Sequence, residues 1–251
     1  MIYERDNYIS RKSPKQKGAS FRGERLEQVV ASNIENFFVI ASASEPDFNN
    51  KVIDRFIVIG ESSKPRAVYI ILNKTDLRLD DEIKYYIDLY SRIGYRVISA
   101  SVKNGYGIDE ISRAMEGKIN FFWGQSGVGK SSILNAVFPH LNFKVADVSA
   151  FSSKGRHTTV TSSMIKAKEN TFIIDTPGIR EIAPFGIRKE DLFHYFIEFP
   201  LFSGGCRFNT CTHFHEPGCA VLSAVEEGKI SPERYDSYLR ILETVEEDIV
   251  F

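Results

Sequence analysis

Three glycines precede an adjacent lysine and hydroxyl in Gly124-Gln125-Ser126-Gly127-Val128-Gly129-Lys130-Ser131, with Ser132 next in line. Glycines at this spacing let backbone N–H groups wrap an anion at a helix N-terminus, where partial positive charge already favours it. The segment follows the apolar run Asn120–Trp123 and opens the helical pattern Lys130–Val137, the context a phosphate loop requires. In that role Lys130 neutralises the β- and γ-phosphates, a catalytic contribution, and the Ser131 hydroxyl holds Mg²⁺.

A phosphate loop does not distinguish adenine from guanine, but Asn73-Lys74-Thr75-Asp76 does. It ends an apolar run, Ala67–Leu72, at the carboxyl edge of a strand, where α/β sheets bind ligands. The Asp76 carboxylate is suited to accept from guanine N1–H and the 2-amino group, a donor pair that adenine lacks. Asn73 is expected to brace the loop and the Lys74 stem to cover the base. Ser99-Ala100-Ser101 ends the next apolar run, and a small residue there lets the Ala100 N–H approach guanine O6.

Asp175-Thr176-Pro177-Gly178 ends the run Thr171–Ile174. Asp175 is expected to reach Mg²⁺ through water, and the Gly178 N–H to meet the γ-phosphate. Upstream lies Gly155-Arg156-His157-Thr158-Thr159, where the hydroxyl of either Thr158 or Thr159 closes on Mg²⁺ when the γ-phosphate is present. Thr159 is carried forward as catalytic. Ile179 occupies the place where Ras-type GTPases carry the glutamine that orients water. Since isoleucine has no group for that task, His157 is the nearest polar candidate.

All three cysteines fall in one short segment, Cys206-x4-Cys211-x-His213-x5-Cys219. Three thiolates and an imidazole make up the ligand set of a closed structural Zn²⁺ site. An odd, tight, histidine-containing cluster fits a disulfide framework poorly. His215 is the alternative fourth ligand.

These residues need a scaffold, and the periodicity supplies one. Apolar runs of strand length at Phe37–Ala41, Ala67–Asn73, Arg96–Ser99, Asn120–Trp123, Met164–Ala167 and Thr171–Asp175 alternate with helical patterns. The helical patterns lie near Asn50–Ile59, Asp81–Ile93, Gly107–Met115 and Lys130–Val137. Alternation of this kind predicts a doubly wound, mostly parallel sheet in an α/β domain. Val52, Ile53, Phe56 and Ile57 are expected on the buried face of the first helix. Past Arg180 the pattern turns helical, with Lys189–Phe196, Ala220–Glu227 and Pro232–Asp248 around the cysteine cluster, and Ser231-Pro232 marks a helix start. The expected organisation is a basic segment over 1–25 with a β-like stretch at Tyr3–Ser10, a nucleotide-binding domain over 26–184, and a helical zinc-binding domain over 185–251.

Composition sets the outer limits. With 43% hydrophobic and 26% charged residues in 251, the chain is long enough to bury a core. No apolar run approaches the roughly 18 residues of a membrane span, and Met1 to Lys17 lacks the apolar core of a signal peptide. A cytoplasmic protein that does not enter membranes is predicted. Net charge is −1, so any surface for nucleic acid must be local. The candidate is the amino end, where seven Lys and Arg residues lie between Arg5 and Arg25.

The order of these motifs is unusual: base tetrapeptide, Ser-Ala-Ser, phosphate loop, then the two switch segments. Termini of a domain are often close together, so a permuted chain keeps its fold. In this order, and in Asp47-Phe48-Asn49, Ile53-Asp54-Arg55-Phe56, Gly-Arg-His-Thr-Thr, Glu216-Pro217-Gly218-Cys219 and Arg234-Tyr235, the chain resembles the RsgA (YjeQ-type) family of circularly permuted GTPases. The resemblance covers nearly all of residues 30–245. It implies a P-loop fold with permuted strand order and hydrolysis of GTP to GDP with Mg²⁺. It also implies a zinc knuckle on Cys206, Cys211, His213 and Cys219, and the histidine matching His157 as a catalytic residue. The implied partner is the small ribosomal subunit and its rRNA, bound late in maturation by a monomer that leaves after hydrolysis. Members carry an OB barrel ahead of the GTPase domain, so 1–25 is expected to be its remnant. Glu35 and Thr210 stand where the family usually has aspartate.

Overall fold

The computed structural model describes residues 6–12, 27–143, 163–175 and 187–245, with Asp175 and five other strand-end residues described in backbone only. The first two strands, β1 (Tyr8–Lys12) and β2 (Glu27–Ser32), pair antiparallel in a small sheet of their own. Asn7 fastens this pair to the chain that leads into the main sheet, donating from Nδ2 to Ile34 O and accepting at Oδ1 from Ile34 N–H. Of the β-like stretch expected at Tyr3–Ser10, Tyr8–Ser10 belong to β1, which continues to Lys12, and 3–5 lie outside the described residues. β2, which the periodicity did not mark, pairs with β1 and stays outside the main sheet.

The main sheet has six strands: β3 (Asn36–Ser42), β4 (Ala67–Asn73), β5 (Arg96–Ser99), β6 (Ile119–Gly124), β7 (Ser163–Lys168) and β8 (Thr171–Asp175). Their order is β5-β4-β3-β6-β8-β7, parallel except for β7 against β8. Strands buried on both faces read as continuous apolar runs, which is why Phe37-Phe38-Val39-Ile40 and Tyr69-Ile70-Ile71-Leu72 stood out. Alternate side chains divide between two cores. Phe37, Val39, Ile70, Leu72, Phe121 and Trp123 pack beneath α1 (Asn50–Ser62) and α2 (Asp81–Ile93). Phe38, Ile40, Ile71, Ile98 and Phe122 pack beneath α3 (Ile108–Met115) and α4 (Lys130–Val137).

A third core belongs to the helical segment after Ile187. It contains a 3₁₀ stretch (Lys189–Tyr195), the short α5 (Pro200–Ser203), α6 (Ala220–Glu226) and α7 (Pro232–Thr244). Ser231 caps α7 as expected, its Oγ accepting from Arg234 N–H. Val58 of α1 reaches into this third core. Two layers thus cover α1, and Asp54, Val58 and Ile59 are buried together with Ile53 and Ile57, while Val52 and Phe56 are only half-buried. An amphipathic reading of α1 sees one buried face and misses the second.

Candidate functional site

β3 sits between β4 and β6. The chain winds outward from β3 to β5, then returns to begin β6 on the other side of β3. That reversal opens a crevice at the carboxyl ends of β3 and β6, the place where open α/β sheets take ligands. The glycine loop leaves β6 into this crevice and ends at Gly129, which precedes α4 with φ +96°. A Cβ at Gly129 would come within 2.3 Å of Asn73 Nδ2, so both conformation and space demand glycine. The first intrahelical bond runs from Ile133 N–H to Gly129 O, and the first turn of α4 accordingly turns its amides out of the helix end. Lys130 opens α4 and folds back over its own loop, donating from Nζ to Gly124 O and Gln125 O at 2.7 Å each. Ser131 and Ser132 lie half-buried in the same turn.

The base tetrapeptide meets this loop directly. Asn73, the last residue of β4, donates from Nδ2 to Val128 O at 2.9 Å. This buried bond joins the two motifs across 55 residues of sequence. Asn73 Oδ1 is buried with no hydrogen-bond partner among the described residues, a cost that a ligand at this position offsets. Lys74 takes a left-handed backbone, φ +61°, and its Nζ hydrogen-bonds Glu45 O, spanning the loops that follow β3 and β4. Thr75 donates from its amide and its hydroxyl to Ala100 O, tying the tetrapeptide to the Ser99-Ala100-Ser101 loop. Gly107 lets that loop close, because a Cβ there would lie 2.3 Å from Ser99 O.

One sequence expectation changes here. The Ala100 N–H, expected at guanine O6, donates to Leu72 O at 2.8 Å because the β4–β5 ladder runs one residue past the end of β5. Ser101 Oγ instead becomes the prominent polar group of the loop, donating to Asp76 Oδ1 at 2.6 Å. Asp175 is the last residue of β8, beside β6 and at the same sheet edge as the glycine loop. His157, Thr158, Thr159, Gly178 and Ile179, and the side chain of Asp175, lie outside the described residues.

In the helical segment, donor atoms of Cys206, Cys211, His213 and Cys219 all lie within 4.8 Å of one another. The separations are 3.3 Å from His213 Nδ1 to Cys219 Sγ, 3.6 Å from Nδ1 to Cys206 Sγ, and 3.9 Å between the Cys206 and Cys219 sulfurs. Tetrahedral zinc requires edges of about 3.5 Å for N···S and about 3.8 Å for S···S at ordinary bond lengths, so the donor set fits the ion. His213 supplies the fourth donor through Nδ1, whereas His215 is exposed and outside the group. Burial raises the Cys211 thiol to about 12 and the Cys219 thiol above its ordinary value, and it lowers His213. Such thiols stay protonated without a cation to replace the proton.

Glu216 organises the knuckle. Its Oε1 accepts from the Thr212 amide and hydroxyl, and its Oε2 from the amides of Phe214 and His215. Partial burial acts against its charge, but these hydrogen bonds prevail and hold its carboxyl down at about 2. Tyr235 and Tyr238 of α7 donate to His213 O and Thr212 O from behind. Glu216 and Ser101 each lie in a motif the sequence marks, but nothing in the spacing of the ligands assigned a role to either.

Comparison with known proteins agrees with this geometry. The family model described as RsgA GTPase matches residues 2–184. Small ribosomal subunit biogenesis GTPase RsgA 2 of Bacteroides thetaiotaomicron is 39% identical over 249 residues, which is 98% of this chain and 78% of the relative. The Chlorobaculum tepidum protein, small ribosomal subunit biogenesis GTPase RsgA, is 37% identical over 226 residues, covering 90% and 72%. Among solved structures, YjeQ from Thermotoga maritima superimposes with a TM-score of 0.75 at 30% identity, over 97% of this chain and 77% of that one. YloQ, titled a circularly permuted GTPase, does so with 0.73 at 27% identity, over 97% and 73%. With the base tetrapeptide ahead of the phosphate loop and the two bonded across the crevice, the chain belongs to the RsgA GTPase family and is a circularly permuted GTPase.

Proposed function

We propose that the chain hydrolyses GTP as a timer in late maturation of the small ribosomal subunit, binding the particle with GTP and leaving it after hydrolysis. The observation that carries the nucleotide half is the Asn73–Val128 bond, which brings base-reading and phosphate-binding elements to one crevice. The subunit half rests on what the relatives are named for.

In this reading Asp76 accepts from guanine N1–H and the 2-amino group, and Lys74 covers the base. The amides of Gly124 to Ser132 cradle the phosphates, with Lys130 released from Gly124 O and Gln125 O to neutralise them. Ser131 and Asp175 would hold Mg²⁺, which would supply positive charge against the charge that develops on the phosphates. Thr158 or Thr159 and the Gly178 amide sense the γ-phosphate, and His157 orients the attacking water in place of the glutamine that Ile179 displaces. Ser99 and Ala100 form the rim beside the base. Cys206, Cys211, His213 and Cys219 would hold Zn²⁺, which would cross-link their segment; that segment follows the second switch segment in the chain, so loss of the γ-phosphate is transmitted to it.

The proposed division is 1–25, 26–184 and 185–251, and the proposed agent is a cytoplasmic monomer that contacts rRNA. The test is multiple-turnover phosphate release with purified small subunits, large subunits and neither. Stimulation by small subunits alone supports the proposal; equal rates in all three samples contradict it.

A further inference from the structure

A pocket of about 500 Å³ opens beside the end of β5, which has no further strand on its outer side among the described residues. One wall is a stripe of α2, Lys84, Ile87, Asp88 and Ser91, spaced as a single helix face. Leu79, ahead of α2, and Tyr106, on the loop after β5, complete its apolar lining. These two side chains are 46% and 63% exposed. Large apolar groups left in water around one cavity mark a surface that meets something, and the volume lies within the roughly 300–1,000 Å³ of ordinary ligand pockets.

The pocket is not the nucleotide crevice. Asp76 and Ser101 line it where it adjoins the base loops, but α2 leads from the end of β4 back toward the start of β5. From Lys84 to Ser91 the stripe therefore descends about 10 Å toward the amino edge of the sheet, away from the crevice.

Charge selects the occupant. The stretches 76–82 and 104–110, which carry Leu79 and Tyr106, hold six acidic residues and one basic, Arg78. Arg78 is already held by Asp80 and Glu82. Lys84 is held by Asp81 at 3.2 Å, and Lys103 stands 3.9 Å from Asp76 Oδ2. With the nearby cations matched, Asp109 and Glu110, exposed in the first turn of α3, leave the balance negative.

We propose that this pocket docks a basic peptide segment of a partner protein. One side chain of leucine or phenylalanine size enters between Leu79, Ile87 and Tyr106, while Lys or Arg residues on either side of it meet the acidic rim. The buried anchor supplies affinity and the rim supplies orientation. A nucleic acid is the wrong occupant, because its phosphates meet the same acids. The surface uses neither the phosphate loop nor the cysteine cluster, and it stands whether or not guanine is the base read at Asp76.

The probes are short fluorescein-labelled peptides of Lys and Arg around one central Leu, Phe or Ala, titrated with the full chain and followed by anisotropy. Wild type is expected to bind the Leu and Phe peptides about tenfold or more tightly than the Ala peptide. Leu79→Ala with Tyr106→Ala should erase that difference. Ser91→Trp, at an exposed position of the α2 wall, fills the pocket from the other side and should erase it too, so the outcome does not hang on one variant. Asp109→Asn with Glu110→Gln should weaken all three peptides by a similar factor, and added salt should do the same. GDP affinity, which none of these side chains serves, reports that each variant is folded. Equal binding of the three peptides to wild type, or no binding of any, overturns the proposal. So does a preference for Leu and Phe that survives both sets of pocket substitutions, or displacement of the peptides by a short single-stranded RNA.

Discussion

Arg234 Nη1 lies 2.6 Å from Asp54 Oδ1, although 180 residues separate them and neither side chain is more than 1% exposed. Arg234 lies in the first turn of α7, and Asp54 sits on α1 beneath the main sheet. The rest of the guanidinium is taken by Glu198, with Nε at 2.7 Å and Nη2 at 3.0 Å, and the Phe196 ring covers its face at 4.4 Å. Tyr90 adds a hydrogen bond to Asp54 Oδ1. Burial opposes the charge on Arg234, but the two carboxylates outweigh it and hold its pKa well above the ordinary value. One buried cation thus pins the segment that carries the Cys and His cluster to the helix that flanks the main sheet.

Removing that cation strands two buried carboxylates. Arg234→Met is expected to destabilise the protein by about 3–5 kcal/mol, the range for breaking one side of a buried ion pair. Urea unfolding followed by tyrosine and tryptophan fluorescence measures it. Replacing Arg234, Asp54 and Glu198 together by apolar residues of similar volume should cost less than Arg234→Met alone.

The deficit of Arg234→Met should also depend on pH. Burial already raises the Asp54 carboxyl, with Arg234 acting against it, and loss of the guanidinium raises it further. A carboxyl raised on folding contributes stability that is fully present below its unfolded pKa and lost as pH rises through its folded pKa. The difference between variant and wild type should therefore shrink as pH falls from about 7 toward about 4, near the unfolded value. Unfolding curves at a series of pH values test this.

Asn73→Ala should act on the phosphate side of the site. It leaves Val128 O without its buried donor, a loss of roughly 1–3 kcal/mol, and frees the glycine loop. Affinities for GDP and inosine diphosphate are expected to fall together, by about tenfold or more, in contrast to the base-selective loss expected at Asp76. Calorimetry with both nucleotides distinguishes the two patterns.

Zinc removal should unfold the knuckle while the sheet persists. The third core is built partly from Cys211 and Cys219 themselves, and the hydroxyls of Tyr235 and Tyr238 bond the knuckle backbone. Dialysis against a strong chelator, followed by hydrogen exchange, should show lost protection over 206–219 and at α7, with β3, β4 and β6 still protected. Metal analysis before dialysis should give one zinc per chain, and Cys219→Ser should mimic the chelated state.

The parts of this molecule legible in the sequence are those governed by local pattern. β4 and β5 match the apolar runs end to end, and β3 and β6 extend them by one residue at either side; β3 and β4 stand out most because they are buried on both faces. The ligand set of the knuckle was legible because its residues are close in sequence, and the geometry agrees with the spacing in taking His213 rather than His215. What stayed hidden depends on distant pairing. Arg234 and Asp54 lie in motifs of the family resemblance, but that they meet each other and Glu198 appears only in the fold. β2 lacks a strand signature of its own and is specified by β1. Ser101 reads as a small loop residue, and Ala100 as a free amide, because neither the turn to Tyr106 nor the extended ladder at Leu72 has a local signature.

The base preference of Asp76→Asn tests the guanine site most directly. Wild type should bind GTP well ahead of ATP and xanthosine triphosphate. The variant should lose affinity for GTP and gain it for xanthosine triphosphate, whose 2-carbonyl accepts where guanine donates. Calorimetric titration of both proteins with the three nucleotides and Mg²⁺ supplies the comparison. A crossover in preference is the predicted result; an undiminished guanine preference in the variant, or ATP favoured by the wild type, contradicts the claim that the reversed motifs enclose one guanine nucleotide.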